Sequence, residues 1–481
     1  MRVLKFGGTS VGDAQAIERL AAIVRRQGDA EAADASGGDS RCGLAIVVSA
    51  LAGATDCLLG IADHAQCGQA AAALQLVDSL RARHLAVARA VIEPDDADEL
   101  CEEIDQQFEG LDAVVRSLAV LREVAPRSLD AVASIGEILS SRIVAAALVA
   151  RGFPAVWLDP RELIVTDNSF TIASPLLPQT FARLSERLAP LIAAGRVPVT
   201  GGFVAATPDG ITTTLGRGGS DYSASIIGAG IAADEIQIWT DVDGMLTADP
   251  RVYATPQLVP ELSFAEAAEL AYFGAKVLHP KTIHPALARA IPVRILNSRR
   301  PDGAGTRITA EPAGSRGPVA AFACKRRVTV IDVTSGRMLE AHGFLRRLFQ
   351  VFERHQTSVD VVTTSEVSVS VTVDDVRRLD AIVEDLSDFA DVVTEDGLAL
   401  LGIVGDNLHA SPGTFGRIVG ALGGVPLKLV SQAASRRNVT IVMPETELAG
   451  AVARLHDVFF ADAAAAGEPP GVVQAAGAAG I

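Results

Sequence analysis

The sequence predicts an α/β protein, with one domain around a largely parallel sheet and two smaller βαβ-like blocks after it. Three observations carry this expectation. Over the first 300 residues, short apolar runs alternate with stretches of helical periodicity, the pattern left by strands joined through crossover helices. Near residue 300 the texture changes: Arg299 to Pro318 is rich in Gly, Pro and Arg and reads as a linker. After it, two blocks of like design follow at a spacing of roughly 70 residues.

The elements follow in order. Val3 to Phe6 reads as a short strand running into the turn Gly7-Gly8-Thr9-Ser10. Ile17, Leu20, Ala21 and Val24 then recur at i, i+3, i+4 and i+7, one face of an amphipathic helix. Residues 29–41 are small and polar and are expected to form a surface loop. Leu44 to Val48 is continuously apolar, the mark of a strand covered on both faces. Similar runs occur at Pro198 to Thr200 and at Ile236 to Trp239. Past the linker, Val328 to Val333 predicts a strand. The helix after it places Phe344, Leu345, Leu348, Phe349 and Phe352 on one face, and Arg346, Arg347, Gln350 and Arg354 on the other. Val367 to Val373 alternates strictly, which predicts a strand with one buried face. The second block repeats this plan with a strand from Leu398, a helix near 414–422 and a strand from Asn438 to Met443. From Ala463 onward the chain is mostly Ala, Gly and Pro and reads as a frayed tail.

Composition narrows the class. The chain has 481 residues, 49% of them hydrophobic, and a mean hydropathy of +0.30, enough for several cores. A net charge of −16 repels phosphate backbones, so nucleic acid is not an expected partner. No apolar run reaches the ~18 residues of a membrane span, and the opening Met1 to Lys5 leaves no room for the apolar stretch of an export signal. The five cysteines, at 42, 57, 67, 101 and 324, show no paired spacing, so neither a disulfide framework nor a zinc site is expected. The chain reads as cytosolic, soluble and globular. Of its 42 basic residues only Lys5, Lys276, Lys281, Lys325 and Lys428 are lysine. Each survives by chance or marks a place where a compact ammonium suits better than a guanidinium fork.

Five motifs could carry chemistry. In Lys5-Phe-Gly-Gly-Thr-Ser10, two glycines at a strand-to-helix turn let backbone N–H groups approach an anion, with Lys5 beside them. The plain alternative is a tight turn whose lysine reaches solvent. Thr214 to Ser223 holds Gly216, Arg217, Gly218, Gly219, Ser220 and Asp221 ahead of a small-residue helix. It resembles a dinucleotide fingerprint, but Asp221 stands where the third glycine belongs, and a carboxylate there would face a pyrophosphate. Asp221 suits a site that orients a lysine or a metal–phosphate instead. Trp239-Thr240-Asp241, with Asp249-Pro-Arg251 beyond, ends a strand where parallel sheets bind ligands, or merely makes a turn. Phe273 to Pro280 offers Lys276 to a phosphate, while His279 before Pro280 reads as a turn residue. Ser49 to Thr55 follows a buried strand, and Glu137 lies in a segment so apolar that it needs a partner or a ligand, unless it sits on a helix surface. There is no G-x-x-x-x-G-K-[ST] and no G-x-S-x-G.

Together these motifs resemble the aspartate kinases of the amino-acid kinase family. Lys5 to Ser10 is similar to the family's opening signature, and Ser49 to Thr55, Glu137, Gly216 to Asp221, Thr240-Asp241, Arg251 and Gly274 to Pro280 occur in the family's order. Past the linker, Met338 to Leu345, Ser358 to Asp360 and Thr363 to Ser370 resemble the first of two ACT domains, in the pattern of the lysine-inhibited enzymes. Gln432 to Asn438 resembles the second. The resemblance implies a three-layer αβα kinase domain over 1–310, two ferredoxin-like ACT regulatory domains over 311–395 and 396–465, and a tail over 466–481. It implies ATP and Mg²⁺ as cofactors and 4-phospho-L-aspartate as product. Carried over, Lys5, Arg217 and Asp221 fall at catalytic positions. Ser49, Thr55, Glu137 and Arg217 fall at aspartate-binding positions, with Glu137 on the substrate ammonium. Lys5, Gly7, Gly8, Gly218, Gly219, Ser220, Thr240, Asp241, Arg251, Lys276 and Val277 fall at nucleotide positions. Met338, Phe344, Leu345, Ser358, Val359, Asp360, Thr364, Ser365 and Glu366 would form the effector site. Asp360 and Glu366 would meet a cationic end there, and the N–H groups at Gly343-Phe344 a carboxylate. Lysine is the first expected effector and threonine the second, in a homodimer or dimer of dimers formed through the ACT domains. Leu246 stands where relatives often place a tyrosine, so a ring contact to the nucleotide is lost. Asp243 replaces a proline that some relatives carry, with no expected consequence.

An aspartate β-carboxylate is ionised at neutral pH, with a pKa of ~3.9, so the chemistry needs no general base. That fits the lack of a convincing His or Cys catalyst. Two other readings compete: a relative acting on glutamate or carbamate, and a catalytically inert amino-acid sensor. Glu137 and the ACT pair oppose the first; Lys5, Arg217 and Asp221 oppose the second. A fused dehydrogenase is not expected, since the chain ends soon after the second ACT block.

Overall fold

In the computed structural model the first strand, β1 (Arg2–Phe6), is buried from Val3 onward. The chain continues through α1 (Ala14–Asp34), β2 (Leu44–Val48) and four helices, α2 (Ala54–Gln66), α3 (Ala70–Val91), α4 (Pro94–Leu121) and α5 (Pro126–Ala150). Then come β3 (Ala155–Leu158), α6 (Leu177–Arg187), α7 (Ala189–Ala193), β4 (Val197–Gly201) and a small hairpin of β5 (Val204–Ala206) and β6 (Thr212–Thr214). After these lie α8 (Gly219–Gly230), β7 (Glu235–Thr240), β8 (Glu261–Ser263), α9 (Phe264–Tyr272), α10 (Pro280–Ala288), β9 (Val293–Asn297) and β10 (Thr306–Thr309). The structure describes residues 1–34, 43–274, 280–312, 317–336, 342–406, 408, 412–432 and 436–464.

The chain divides into two units. The first is Met1–Met245, Pro260–Phe264 and Val277–Pro312; the second is Leu246–Val259, Ala265–Lys276 and Ala313–Ile481. Two inner segments of the N-terminal half thus belong to the C-terminal unit. The reason is apolar: Ala248 is buried in one core with Leu401, Ile403 and Val439, and Val252 and Tyr253 pack against it.

The first unit is built on an eight-stranded sheet in the order β3-β4-β2-β1-β7-β9-β10-β8, parallel except where β10 meets β9. Strand alternation decides what each face meets. Leu4 and Phe6 of β1 join Ile46, Val48 and Trp239 in a core shared with α1 to α5. Val3 points the other way, towards α8: a Cβ added to Gly228 would lie 3.8 Å from Val3 and within 3 Å of Ile236. Helices therefore cover both faces, the expected αβα arrangement. Among the described residues α5 is long and apolar enough to cross a membrane, but it lies mostly buried inside this unit.

Two expectations are corrected here. The loop expected over 29–41 is helical as far as Asp34, because Ala30 to Ala33 is rich in strong helix formers. The linker expected over 299–318 contains β10, whose Thr306, Ile308 and Thr309 are buried. Gly305 makes that strand possible: it holds φ at +67°, where a Cβ would run into the Ile295 carbonyl oxygen.

The second unit contains β11 (Ala321–Thr334), α11 (Phe344–Arg354), β12 (Val362–Thr364), β13 (Ser368–Val373), α12 (Leu379–Ser387) and β14 (Asp391–Val404). α13 (Thr414–Ala421), β15 (Leu429–Ser431), β16 (Asn438–Pro444) and α14 (Leu448–Ala464) follow. Its six strands run antiparallel in the order β12-β13-β11-β14-β16-β15. This is two ferredoxin-like lobes sharing two long strands. Residues 329–334 of β11 pair with β13 in the first lobe, whereas 321–325 pair with 400–404 of β14 in the second. The second lobe thus takes its last strand from ahead of the first, an arrangement that a cut at 395 does not describe. The 70-residue repeat is real in three dimensions: α11 and α13 begin at Phe344 and Thr414, each after a left-handed glycine, Gly343 and Gly413. One face of α11 is corrected. Leu348, Val351 and Phe352 are buried, but Leu345 and Phe349 are exposed, as are their counterparts Phe415 and Val419. Each helix covers the sheet with one stripe only, and the apolar face is wider than the stripe.

Gly305→Ala is expected to destabilise the protein by more than ~2 kcal/mol, since the clash is with backbone and the residue is strained as well. Urea unfolding checks this; a midpoint unchanged from wild type would contradict it.

Candidate active site

The C-terminal ends of β1, β2 and β4 open into a cavity of about 560 Å³, the place where parallel sheets bind ligands. Ten of the expected site residues line it: Lys5, Gly8, Ser49, Thr55, Glu137, Arg217, Gly218, Gly219, Ser220 and Asp221. Lys5 lies two residues beyond Val3, so its side chain faces α8. There its Nζ sits 2.6 Å from Oδ1 of Asp221 in the first turn of α8, with both side chains largely buried. Gly218 caps that helix at φ +73°, a conformation that suits glycine. Arg217, just before it, is exposed and forms no ion pair among the described residues.

Glu137 comes from the middle of α5 and is only 4% exposed. Burial pushes its carboxyl up to about 8, while hydrogen bonding from the Ala50 backbone and the charge of Lys5 pull the other way. Its Oε2 has no hydrogen-bond partner among the described residues. A buried acceptor left open on a cavity wall calls for a donor or a cation from the ligand. The loop that carries Ser49 is held from below: Ser140 Oγ donates to the Ser49 carbonyl at 2.7 Å. Arg83 donates to the carbonyls of Ala52 (2.7 Å) and Gly12 (3.0 Å), tying this loop to the end of the Gly7-Gly8 turn.

The nucleotide side starts at the same turn. Gly7 N donates to the Trp239 carbonyl at 2.9 Å. A Cβ on Gly7 would lie 3.6 Å from Lys5 Nζ and 4.0 Å from Thr240 Oγ1, so Lys5, Gly7 and Thr240 converge. Beneath them Ser10 Oγ donates to Ser298 Oγ at 2.7 Å, and Ser298 Oγ in turn donates to the Thr240 carbonyl. Asp241 is exposed beside Thr240. Asp243 has a role that the sequence did not suggest: Asn297 donates to it at 2.7 Å and Arg300 pairs with it. Arg251 lies in the second unit, where it grips Asp249 at 2.6 Å. Lys276 and Val277 lie outside the described residues.

In the first ferredoxin-like lobe, Phe344 and Val359 pack on the same core. Leu345, Ser358, Thr364, Ser365 and Glu366 are exposed, and Met338 lies outside the described residues. Asp360 differs from expectation. Its Oδ1 is already held at 2.6 Å by Lys325, whose Nζ also lies 3.0 Å from Asp374. The hydroxyl of Tyr272 donates to the Asp360 backbone carbonyl at 3.1 Å. The cationic end that Asp360 was expected to meet is supplied by the protein's own lysine.

Sequence reasoning missed several residues that hold this site: Arg83, Ser140, Ser298 and, on the cavity wall, Asp130. Asp130 had a readable signal, since it precedes Glu137 by two helical turns on the same face. The contacts of Arg83 and Ser298 are long-range and left no local trace.

Fold and crevice together define a kinase for a small carboxylate acceptor, with a regulatory pair of ACT-like lobes appended. Residues 1–297 match the amino acid kinase family and residues 401–459 match the ACT domain. Lysine-sensitive aspartokinase 3 of Escherichia coli is 33% identical over 95% of this chain and 99% of its own length. The chloroplastic aspartokinase 3 of Arabidopsis thaliana is 35% identical, over 95% and 81%. The crystal structure of E. coli aspartokinase III with aspartate and ADP superposes with a TM-score of 0.80 over 96% of this chain and 100% of that one, at 33% identity. The lysine and aspartate complex of the same enzyme gives 0.81 over 96% and 99%, at 32% identity. The chain belongs to the aspartokinases, within the amino acid kinase family.

Lys5→Arg is expected to lower kinase turnover about 100-fold or more while the fold persists, because a fork cannot occupy the ammonium's place beside Asp221. Steady-state rates with a circular dichroism control check this, and near-normal turnover would remove Lys5 from the chemistry.

Proposed function

We propose that this chain transfers the γ-phosphoryl group of ATP to the β-carboxylate of L-aspartate, giving 4-phospho-L-aspartate and ADP. The observation that carries this reading is the meeting, in one cavity, of a buried carboxylate and an arginine that both lack a partner among the described residues, the carboxylate at its Oε2, with the Lys5–Asp221 pair. An amino acid presents complementary groups: Glu137 takes its ammonium, and Arg217 takes its α-carboxylate through a bidentate fork. Ser49 and Thr55 complete the wall, leaving the β-carboxylate towards Lys5. That carboxylate oxygen attacks the γ-phosphorus as the bond to the β-phosphate bridging oxygen breaks. The obstacle is repulsion between two anions. One cation at 4 Å offsets about 4 kcal/mol at an effective dielectric of ~20, so Lys5, Arg217 and the amides of Gly7, Gly8, Gly218 and Gly219 supply the needed field. Among the described residues no group of three or more His, Cys, Asp or Glu could hold a metal. Mg²⁺ would enter on the nucleotide phosphates and keep several of its waters, as this ion generally does. Thr240 and Asp241 would face it, and when bound it neutralises phosphate charge.

We extend the proposal to regulation and setting. Lysine binds the first ACT-like lobe and inhibits, with threonine as the second candidate, in a cytosolic homodimer or dimer of dimers formed through these lobes. Lysine's ammonium end must displace Lys325 from Asp360 or use the exposed Glu366. Kinase activity that stays flat in lysine and threonine up to millimolar concentrations would defeat this part. A hydroxylamine trap with ATP, Mg²⁺ and each acid tests the reaction itself. Aspartyl hydroxamate is the expected product; glutamyl product alone, or none, would overturn the reading.

The pH dependence has a definite sign. Free Glu137 is mostly protonated at pH 7, since burial has raised it to about 8. An ammonium favours the ionised form, so binding releases a proton, and affinity for aspartate climbs as pH rises towards 8, then levels. The KM for aspartate should fall by up to about tenfold per pH unit over that range. Glu137→Gln should show a weak, flat profile. A wild-type KM independent of pH from 6 to 9 would refute the assignment.

A further inference from the structure

We infer that Asp130 is a positioning residue for Arg217, setting where the guanidinium meets the acceptor; this rests on the aspartate kinase reading above. Asp130 lies on α5, is 1% exposed and lines the cavity. Both of its oxygens are engaged. Oδ1 accepts from the Thr214 hydroxyl at 2.6 Å, and Oδ2 accepts from the Thr171 backbone N–H at 2.9 Å. Each oxygen already accepts from a protein donor, so the carboxylate is anchored to the protein on both sides.

Its two partners hold one structure. Thr171 sits at φ +71°, a left-handed conformation that a β-branched residue adopts only under constraint. Its carbonyl oxygen lies where a Cβ on Gly216 would be 3.2 Å away, so the 171 segment backs directly onto the Gly216 turn. Ala173 N donates to the Thr214 carbonyl at 2.9 Å, closing the pairing. Asp130 therefore pins both sides of a small layer: the strand end at Thr214, and the strained residue against which Gly216 rests. Arg217 is the next residue along. Its side chain is exposed and makes no ion pair among the described residues, so what the protein fixes is the backbone from which it projects. Burial also raises the Asp130 carboxyl above its ordinary range, with the Thr214 and Thr171 hydrogen bonds drawing it back. A buried carboxylate is retained at that cost where its two acceptors organise backbone.

The mechanism separates three variants. Asp130→Ala deletes both bonds. Asp130→Asn keeps the shape: its amide oxygen can accept from Thr171 and its NH₂ can donate to the Thr214 hydroxyl, while the charge is gone. Thr214→Val deletes one bond at constant volume and serves if the alanine variant does not fold. Steady-state kinetics should show the KM for aspartate raised ~10-fold or more in Asp130→Ala and ~3-fold or more in Thr214→Val, with the KM for ATP within ~2-fold and Asp130→Asn near wild type. An unchanged aspartate KM in both, equal shifts for the two substrates, or an asparagine variant as impaired as alanine would each overturn the inference. Amide hydrogen exchange on the ligand-free protein separates this from failure of the aspartate kinase reading. Faster exchange confined to the 171–173 and 214–218 segments in Asp130→Ala or Thr214→Val supports the positioning role even if the acceptor is another acid. Unchanged exchange there overturns it whatever the acceptor.

Discussion

One ammonium, held where water is scarce, organises the catalytic crevice. Lys5 reaches it because strand alternation turns Val3 and Lys5 towards α8 and Leu4 and Phe6 towards the helical core. A lone buried ammonium would be costly. Asp221 offsets that cost at 2.6 Å, and it can do so only because it stands at the start of α8, where a dinucleotide-binding turn would place a glycine. The same pair has a second consequence. Neutralised by Asp221, Lys5 contributes direction more than net charge, so the surplus positive charge of the site falls to Arg217 and the glycine amides. Glu137, mostly protonated in the crevice at neutral pH because burial has raised it to about 8, leaves that surplus largely intact. On the proposed assignment, the crevice is electrostatically ready for an anion and turns complementary to an amino acid as one binds.

How much of this was legible in the sequence follows physical range. β1 and β2 were readable because covered strands of a parallel sheet leave unbroken apolar runs. Lys5, Glu137 and Asp221 were readable because each breaks a local rule: a lysine at a glycine turn, a glutamate in an apolar helix, an aspartate in place of a glycine. Arg83 and Ser298 break none. Their partners lie far away in sequence, and a solvent-facing arginine or a turn serine would look the same. The misread linker shows the opposite failure. Gly305 and its neighbours have the composition of a connector, yet Thr306 to Thr309 is drawn into the sheet by β8 and β9, a tertiary effect that overrides local propensity.

The regulatory unit obeys a different constraint. Two four-stranded lobes share β11 and β14, so the register of one lobe is inherited by the other. The junction is marked where the pairing shifts between Lys325 and Val328, with Arg327 in a left-handed conformation. Lys325 sits at that shift and holds Asp360 and Asp374 of the first lobe. A strand belonging to the second lobe thus supplies the cation that neutralises a buried carboxylate of the first. Any ligand that competes for Asp360 must act on the strand both lobes share.

The same carboxylate residue reaches α9. Tyr272 donates to the Asp360 carbonyl and lies close to the ammonium of Lys325, with its ring centre 5.6 Å away. Four residues further on is Lys276, at a position that the family resemblance assigns to the nucleotide. α9 and the preceding Arg251 segment belong by packing to the regulatory unit although they interrupt the kinase sequence. Sequence order and packing therefore disagree in this stretch: most of α9 and the Arg251 segment take their packing partners from the second unit, because Ala248 is buried in that unit's apolar core, with Val252 and Tyr253 packed against it, and Tyr272 is tied to Asp360.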